Sequence, residues 1–269
     1  MTSYAQQPES AEVLRNVVDG VGWIVFNRPS VSNAAYPPMM RAVCEAIDAF
    51  DADPSVRAIA LRGMGRHFLA GGDFDWLVEI AEGRAGEAAE EIYRWFQGAT
   101  RRLVTCAKPT VAAISGGAFT VGAELALACD VRLVDRSAYF SERWLDLGLI
   151  APLGGAMWLP RIIGLGRAKE MLLECRQIGA EEAVAIGLAS EMLETSDSLH
   201  RRAQERALAM SQRSPPAFAR MKQLIHDGMD AAQEDGWQAG VAAQGDLLKS
   251  DEFRAAVQAR RRSPVQGAR

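Results

Sequence analysis

Apolar positions fall in short runs along this chain, and the runs change period as they go. From Glu12 to Asn27 two apolar segments flank Asp19-Gly20, a dipeptide suited to a tight turn, which predicts a β-hairpin. Helical spacing follows over Pro37 to Asp51, then a short apolar strand over Arg57 to Arg62. A glycine-containing loop, Gly63 to Asp73, leads into a helical stretch from Asp73 to Ala81. Glu87 to Cys106 has the spacing of one long helix, and Pro109 to Ile114 the continuous apolarity of a buried strand. Small residues dominate the next loop, Ser115 to Thr120, which opens the apolar helix Val121 to Cys129; Val131 to Val134 and Ala138 to Phe140 are short strands. From about Leu159 the period is helical nearly to the end. Short strands alternating with helices predict an α/β core. The Arg213-Ser214-Pro215-Pro216 punctuation places a boundary between a core over 1–213 and a helical segment over 214–269, with two or three helices in Ala217 to Arg262.

Composition narrows the function classes. With 269 residues the chain can bury a large core, and no run approaches the roughly 18 apolar residues of a membrane span. A net charge of -4 gives no global pull toward nucleic acid, and the Arg201-Arg202 and Arg260 to Arg262 clusters read as solvated helix faces. Residues Met1 to Ser10 lack the patterns of a secretory or mitochondrial leader, so a cytoplasmic location is expected. Four scattered cysteines read as reduced core thiols, and the three histidines sit in no metal-ligand spacing, so no metal is expected.

Two segments share a strand, small-residue loop, helix design: Phe68-Leu69-Ala70-Gly71-Gly72-Asp73 and Ser115 to Glu124. Free amides at a helix start carry the positive end of the helix dipole and suit an oxyanion, and glycines let a ligand approach them. Either loop alone is better explained by the conformational demands of a strand-to-helix turn. Glu124 adds a chemical reason to look further. It lies in the run Val-Gly-Ala-Glu-Leu-Ala-Leu-Ala, where burying a carboxylate is costly, and Val121 at the capping-box position removes the simplest structural explanation. A general base beside an oxyanion site is the favoured reading.

At these residues the chain resembles the crotonase superfamily, the enoyl-CoA hydratases and isomerases. The resemblance spans Val17 to Arg262 and is carried by Asn27-Arg28-Pro29 with Asn33-Ala34, Ala70-Gly71-Gly72-Asp73, Lys108-Pro109, the Gly116 to Asp130 segment, Gly154-Gly155, Leu159-Pro160-Arg161 and Gly164-Leu165-Gly166-Arg167-Ala168. It implies a crotonase-like α/β spiral of β-β-α repeats followed by C-terminal trimerisation helices, in a homotrimer or a homohexamer. It implies an acyl-CoA substrate that carries coenzyme A itself, with no separate cofactor. The oxyanion amides fall on Gly72 and Val121, the first catalytic glutamate on Glu124, and the coenzyme path on Ser30, Ser32, Ala34 and the stretch Phe68, Ala70, Gly71.

The chain departs from that pattern where the second hydratase acid belongs. Trp144 takes that slot, and a further acid of some isomerases aligns with Pro152. Trp144 is expected as a core aromatic or as a wall of the acyl pocket. Glu142 and Asp146 are expected at the surface, supplying the missing acid only under a different local register. His67 is expected either to contact the coenzyme phosphate or to have no role, and Asp73 to cap its helix. Isomerisation or hydration of an enoyl-CoA leads the reading. Decarboxylation, dehalogenation or thioester hydrolysis is the alternative, followed by an inactive CoA- or RNA-binding relative. The acyl group is not legible.

Overall fold

The computed structural model describes residues 11–82, 84 and 92–228. Two compact units divide the chain, Met1–Ser211 and Gln212–Arg269.

The first unit is built on a six-stranded sheet in the order β1-β2-β3-β4-β6-β9. Strands β1 (Val13–Val18) and β2 (Val21–Phe26) form the predicted antiparallel hairpin. Asp19 and Gly20 both have positive φ in its two-residue turn, at 49° and 84°. Strands β3 (Ala58–Gly63), β4 (Thr110–Ile114), β6 (Val131–Asp135) and β9 (Glu191–Leu193) add in parallel.

The period-2 pattern sorts the central strands onto two faces. Ile24 and Phe26, Ile59 and Leu61, and Ala112 and Ile114 join a large core with Met39, Val43, Ile47 and Phe50 of α1 (Pro37–Ala52). The alternate positions Trp23 and Val25, Ala58 and Ala60, and Val111 and Ala113 pack against Leu199, Ala203 and Ala207 of α8 (Ser196–Ser211). Alanines on both sides of that second contact let helix and sheet approach closely. Covering on both faces explains why all six residues of β2 are buried.

A second sheet of three short strands, in the order β5-β7-β8, stands beside the first. Its strands are β5 (Gly117–Phe119), β7 (Tyr139–Ser141) and β8 (Ile178–Gly179). Three expectations are corrected here. The small-residue loop after β4 contains a strand, because Phe119 pairs in register with Ser141. The helical run after Leu159 is interrupted by β8 and β9, which the flanking sheets recruit despite weak local signals. The long helix expected over Glu87 to Cys106 has, where described, a π-helical turn at Ile92–Phe96 before α3 (Gln97–Thr105). Residues 87–91 lie outside the described part.

The remaining helices of this unit are α2 (Phe74–Ala81), α4 (Val121–Leu127), α5 (Gly155–Ile163), α6 (Leu165–Leu173) and α7 (Ala180–Ala185). In the second unit, α9 (Pro215–Asp227) begins with Pro at its first positions, two residues before the expected start at Ala217, and the rest of the expected helical stretch, from residue 229 on, lies outside the described residues. Among the described residues no helix is long and apolar enough to cross a membrane, and no cluster of metal-ligating side chains occurs.

Candidate active site

Neighbouring parallel strands end on the same edge of a sheet, so the loops that leave β3 and β4 emerge side by side. They then hydrogen-bond to each other. Leu69 N-H donates to the Gly117 carbonyl at 3.2 Å and Phe119 N-H donates to the Leu69 carbonyl at 3.0 Å, forming a parallel bridge between Leu69 and Ala118. Gly72 and Val121, the two expected oxyanion donors, each lie three residues beyond that bridge. Val121 is the first residue of α4, where an N-H has no intrahelical acceptor. Among the described residues, neither its N-H nor that of Gly72 is engaged by a protein acceptor.

Each loop has its own brace. On the Gly72 side, buried Asn33 donates through Nδ2 to the carbonyls of Met64, His67 and Phe68 at 3.0, 2.8 and 3.2 Å, and its Oδ1 accepts from Arg28 N-H at 2.8 Å. Arg28 pairs with Asp73 at 2.8 Å and with Glu12 at 3.1 Å, and its guanidinium also donates to the Ala34 carbonyl. Asp73 caps α2 as expected, accepting from Asp75 N-H at 3.0 Å and from Trp76 N-H at 3.3 Å. On the Val121 side, Thr120 takes φ 43°, ψ −104°, rare for a residue with a β-carbon, while its N-H donates to Ser141 O at 2.8 Å. His67 joins the two loops: its Nδ1 accepts from Gly117 N-H at 2.9 Å. That bond makes Nδ1 the unprotonated nitrogen, in keeping with a pKa pushed down by burial and by Arg66. His67 is thus a strut, a role that neither expectation for it included.

The expected coenzyme path is unevenly exposed. Ser30 lies exposed in a single helical turn, and Ser32, half-buried, has φ 56°. The Ala34 side chain is buried, Gly71 is buried and Ala70 is half-buried. Phe68 turns inward, packing edge-on against Phe26 at 5.2 Å between centroids, so only its backbone can line a path.

Glu124 is fully buried in the first turn of α4. Its Oε2 accepts from Leu153 N-H at 2.8 Å and Gly155 N-H at 2.6 Å, at the start of α5. Its Oε1 has no protein partner. Burial raises the carboxyl pKa to about 7, and the Gly155 and Leu153 amides and the Trp144 indole only partly offset that rise. Fixed by one oxygen, the carboxylate keeps the other free to take a proton.

The largest correction concerns Glu142. Expected at the surface, it is fully buried immediately after β7, with Oε1 unpartnered. The indole N-H of Trp144 donates to its Oε2 at 2.9 Å. The position that a Cβ on Gly155 would occupy lies 3.1 Å from both Glu124 Oε2 and Glu142 Oε1, so those two oxygens are no more than about 6 Å apart. Two carboxylates at that separation repel by about 3 kcal/mol or more at an effective dielectric near 20, roughly two pKa units. Burial, then Glu124, drive the Glu142 pKa well upward. At neutral pH the pair therefore holds at least one proton. Asp146, by contrast, is exposed as expected and pairs with Arg143 at 2.6 Å. The sequence offered Glu142 as the missing acid only under a different local register, and Trp144 gave no sign of the pair. The indole occupies the slot of an acid and holds an acid two residues earlier.

Two sheets, loops bridged to each other that open two helices, and a buried carboxylate in the second of those helices define a crotonase-type fold. The enoyl-CoA hydratase/isomerase family profile matches residues 16–266, and the chain belongs to that family. The chain is 30% identical over 260 residues to the peroxisomal Delta(3,5)-Delta(2,4)-dienoyl-CoA isomerase of Arabidopsis thaliana, covering 93% of this chain and 94% of that one. It is 36% identical over 182 residues to 4-chlorobenzoyl coenzyme A dehalogenase-2 of an Arthrobacter species, covering 66% of this chain and 65% of that one. Among solved structures, an enoyl-CoA hydratase from Bacillus anthracis superposes with a TM-score of 0.84 at 26% identity, over 94% of this chain and 96% of that one.

Proposed function

We propose that the protein binds an acyl-CoA thioester, holds its carbonyl oxygen on the Gly72 and Val121 N-H groups, and uses Glu124 to move a proton in double-bond isomerisation or hydration. The observation that carries this reading is Glu124 itself: buried, anchored through one oxygen, and raised to about 7. A base whose pKa lies near the working pH combines availability with proton affinity. Removing a proton next to a thioester puts negative charge on the carbonyl oxygen, and two backbone donors with no other acceptor are suited to receive it. In enzymes with an oxyanion hole, a single such donor is worth about 10²- to 10³-fold in kcat.

Coenzyme A enters as part of the substrate along Ser30, Ser32, Ala34 and the Ala70-Gly71 backbone, and no separate cofactor takes part. We extend the same reading to assembly as a homotrimer or homohexamer in the cytoplasm, without nucleic acid as a partner.

A second reading, displacement on an aromatic acyl-CoA, draws on the likeness to the Arthrobacter dehalogenase. Product analysis separates the two. Conversion of crotonyl-CoA or a 3-enoyl-CoA supports the first, and inertness toward both with turnover of a haloaryl-CoA supports the second.

Glu124→Gln is expected to lower turnover of the enoyl-CoA substrate about 10²- to 10⁴-fold with CoA-ester affinity nearly unchanged by calorimetry. For the unsubstituted enzyme, kcat/KM is expected to rise with pH through a midpoint near 7, as Glu124 loses its proton. Undiminished turnover in the variant would remove Glu124 as the base.

A further inference from the structure

Resting on the reading of Glu124 as base, we infer that Glu142 is a second catalytic group: a neutral carboxylic acid that delivers a proton to the substrate carbon opposite the one Glu124 deprotonates. Three observations point to it independently of any titration. Glu142 is fully buried, although it sits in the polar run Ser-Glu-Arg. Its Oε1 has no partner, and neither has Glu124 Oε1. The two carboxyl groups converge, since the place a Cβ on Gly155 would take is 3.1 Å from Glu124 Oε2 and 3.1 Å from Glu142 Oε1.

The charged and polar groups facing Glu142 are few. Glu124 faces it from α4 and the Trp144 indole from its own segment, while the Gly155 and Leu153 amides at the start of α5 are turned to Glu124. Arg143, next in sequence, points away into its exposed pair with Asp146. No cation neutralises the pair among these groups, so sharing a proton is how two carboxyl groups can occupy this enclosure.

The step balances within the pair. For a 3-enoyl thioester, Glu124 takes the proton from the α-carbon, and the C-H electron pair moves into a dienolate whose oxygen rests on the Gly72 and Val121 amides. Glu142 then gives its proton to the γ-carbon, and the double bond settles between the α- and β-carbons. Glu124 is left protonated and Glu142 ionised. Return of one proton across a gap of no more than about 6 Å, directly or through one water, restores the starting state. Trp144, donating to Glu142 Oε2, is the positioning residue that aims Oε1 at the shared space.

The test uses the full-length enzyme, a 3-enoyl-CoA, and butyryl-CoA in deuterium oxide, the last reporting α-proton exchange alone. Glu142→Gln is expected to lower isomerisation about 10²- to 10⁴-fold, to retain α-hydron exchange within a few-fold, and to abolish the alkaline fall in kcat/KM that ionisation of Glu142 causes. Isomerisation within about twofold of the parent, equal loss of isomerisation and exchange, or an alkaline limb left in place would each overturn the proposal. If Glu142→Gln does not fold, Trp144→Phe carries the test. Losing the indole donor is expected to move the alkaline limb to higher pH, and an unmoved limb overturns the proposal. Glu124→Gln distinguishes this failure from that of the parent reading, since it should lose exchange and isomerisation together whatever Glu142 does.

Discussion

The two strand-loop-helix turns that present Gly72 and Val121 look alike in sequence but are held in place by different forces. The first, between β3 and α2, is a polar construction: one Asn33 side chain gathers three carbonyls, and Arg28 ties Asp73 to Glu12. The second, between β4 and α4, has the backbone pairing of β5 with β7 and adds shape, with every residue of α4 buried and Gly122 pressed against the Leu69 backbone. A loop held by hydrogen bonds should yield by degrees as partners are removed, whereas one held by close packing should tolerate no added volume.

Substituting inside the packed turn should therefore have the greatest consequence. A Cβ on Gly122 would overlap the Leu69 carbonyl oxygen, and backbone on both sides leaves little room to relax. Gly122→Ala is expected to cost about 3 kcal/mol in urea unfolding, or to prevent folding; a cost below about 1 kcal/mol would show that packing is not what holds this loop.

Asn33→Ala should cost somewhat less, about 2 to 3 kcal/mol, because it strands several backbone groups and leaves alanine at φ 60°. Its imprint on kinetics should fall mainly on the Gly72 side, as a drop in kcat larger than any change in CoA-ester affinity. Unchanged stability would mean that water replaces the amide, and the contrast between the turns would weaken.

His67 bridges the two constructions and should show the mildest effect. His67→Phe removes one acceptor for the Gly117 N-H, at about 1 kcal/mol. Because the imidazole Nδ1 is already unprotonated, its bond should persist until the pH falls through its lowered pKa. The ascending limb of kcat/KM near pH 7 should then keep its midpoint in His67→Phe. A displaced midpoint would implicate the imidazole in the titration assigned to Glu124.

Much of the architecture could be read from apolar periodicity and turn chemistry. The Asp19-Gly20 hairpin, α1, and strands β3, β4 and β6 follow from patterns that lie within a few residues of each other, which local propensity and alternation can express. Strands β5, β8 and β9 have two or three residues each, too few to show a period, and exist because a neighbouring strand offers hydrogen bonds. The π-helical turn at Ile92–Phe96 likewise left no mark in the spacing; Phe96 stacks on Trp76 of α2 at 5.2 Å.

At the site, Glu124 declared itself because a charge in an alanine-rich run has no cheap explanation. Glu142 carried no such sign, for its neighbours are Ser141 and Arg143, and a polar run normally marks a surface. What buries it lies at a distance: α4 delivers Glu124, and Gly155, thirteen residues on, closes over both with a backbone that has no side chain. Local sequence sets which segments coil, extend or turn, and which charge is out of place. Whether a given carboxyl group meets water or another carboxyl group depends on chain segments brought together by folding, and desolvation and Coulomb repulsion act only across that assembled space.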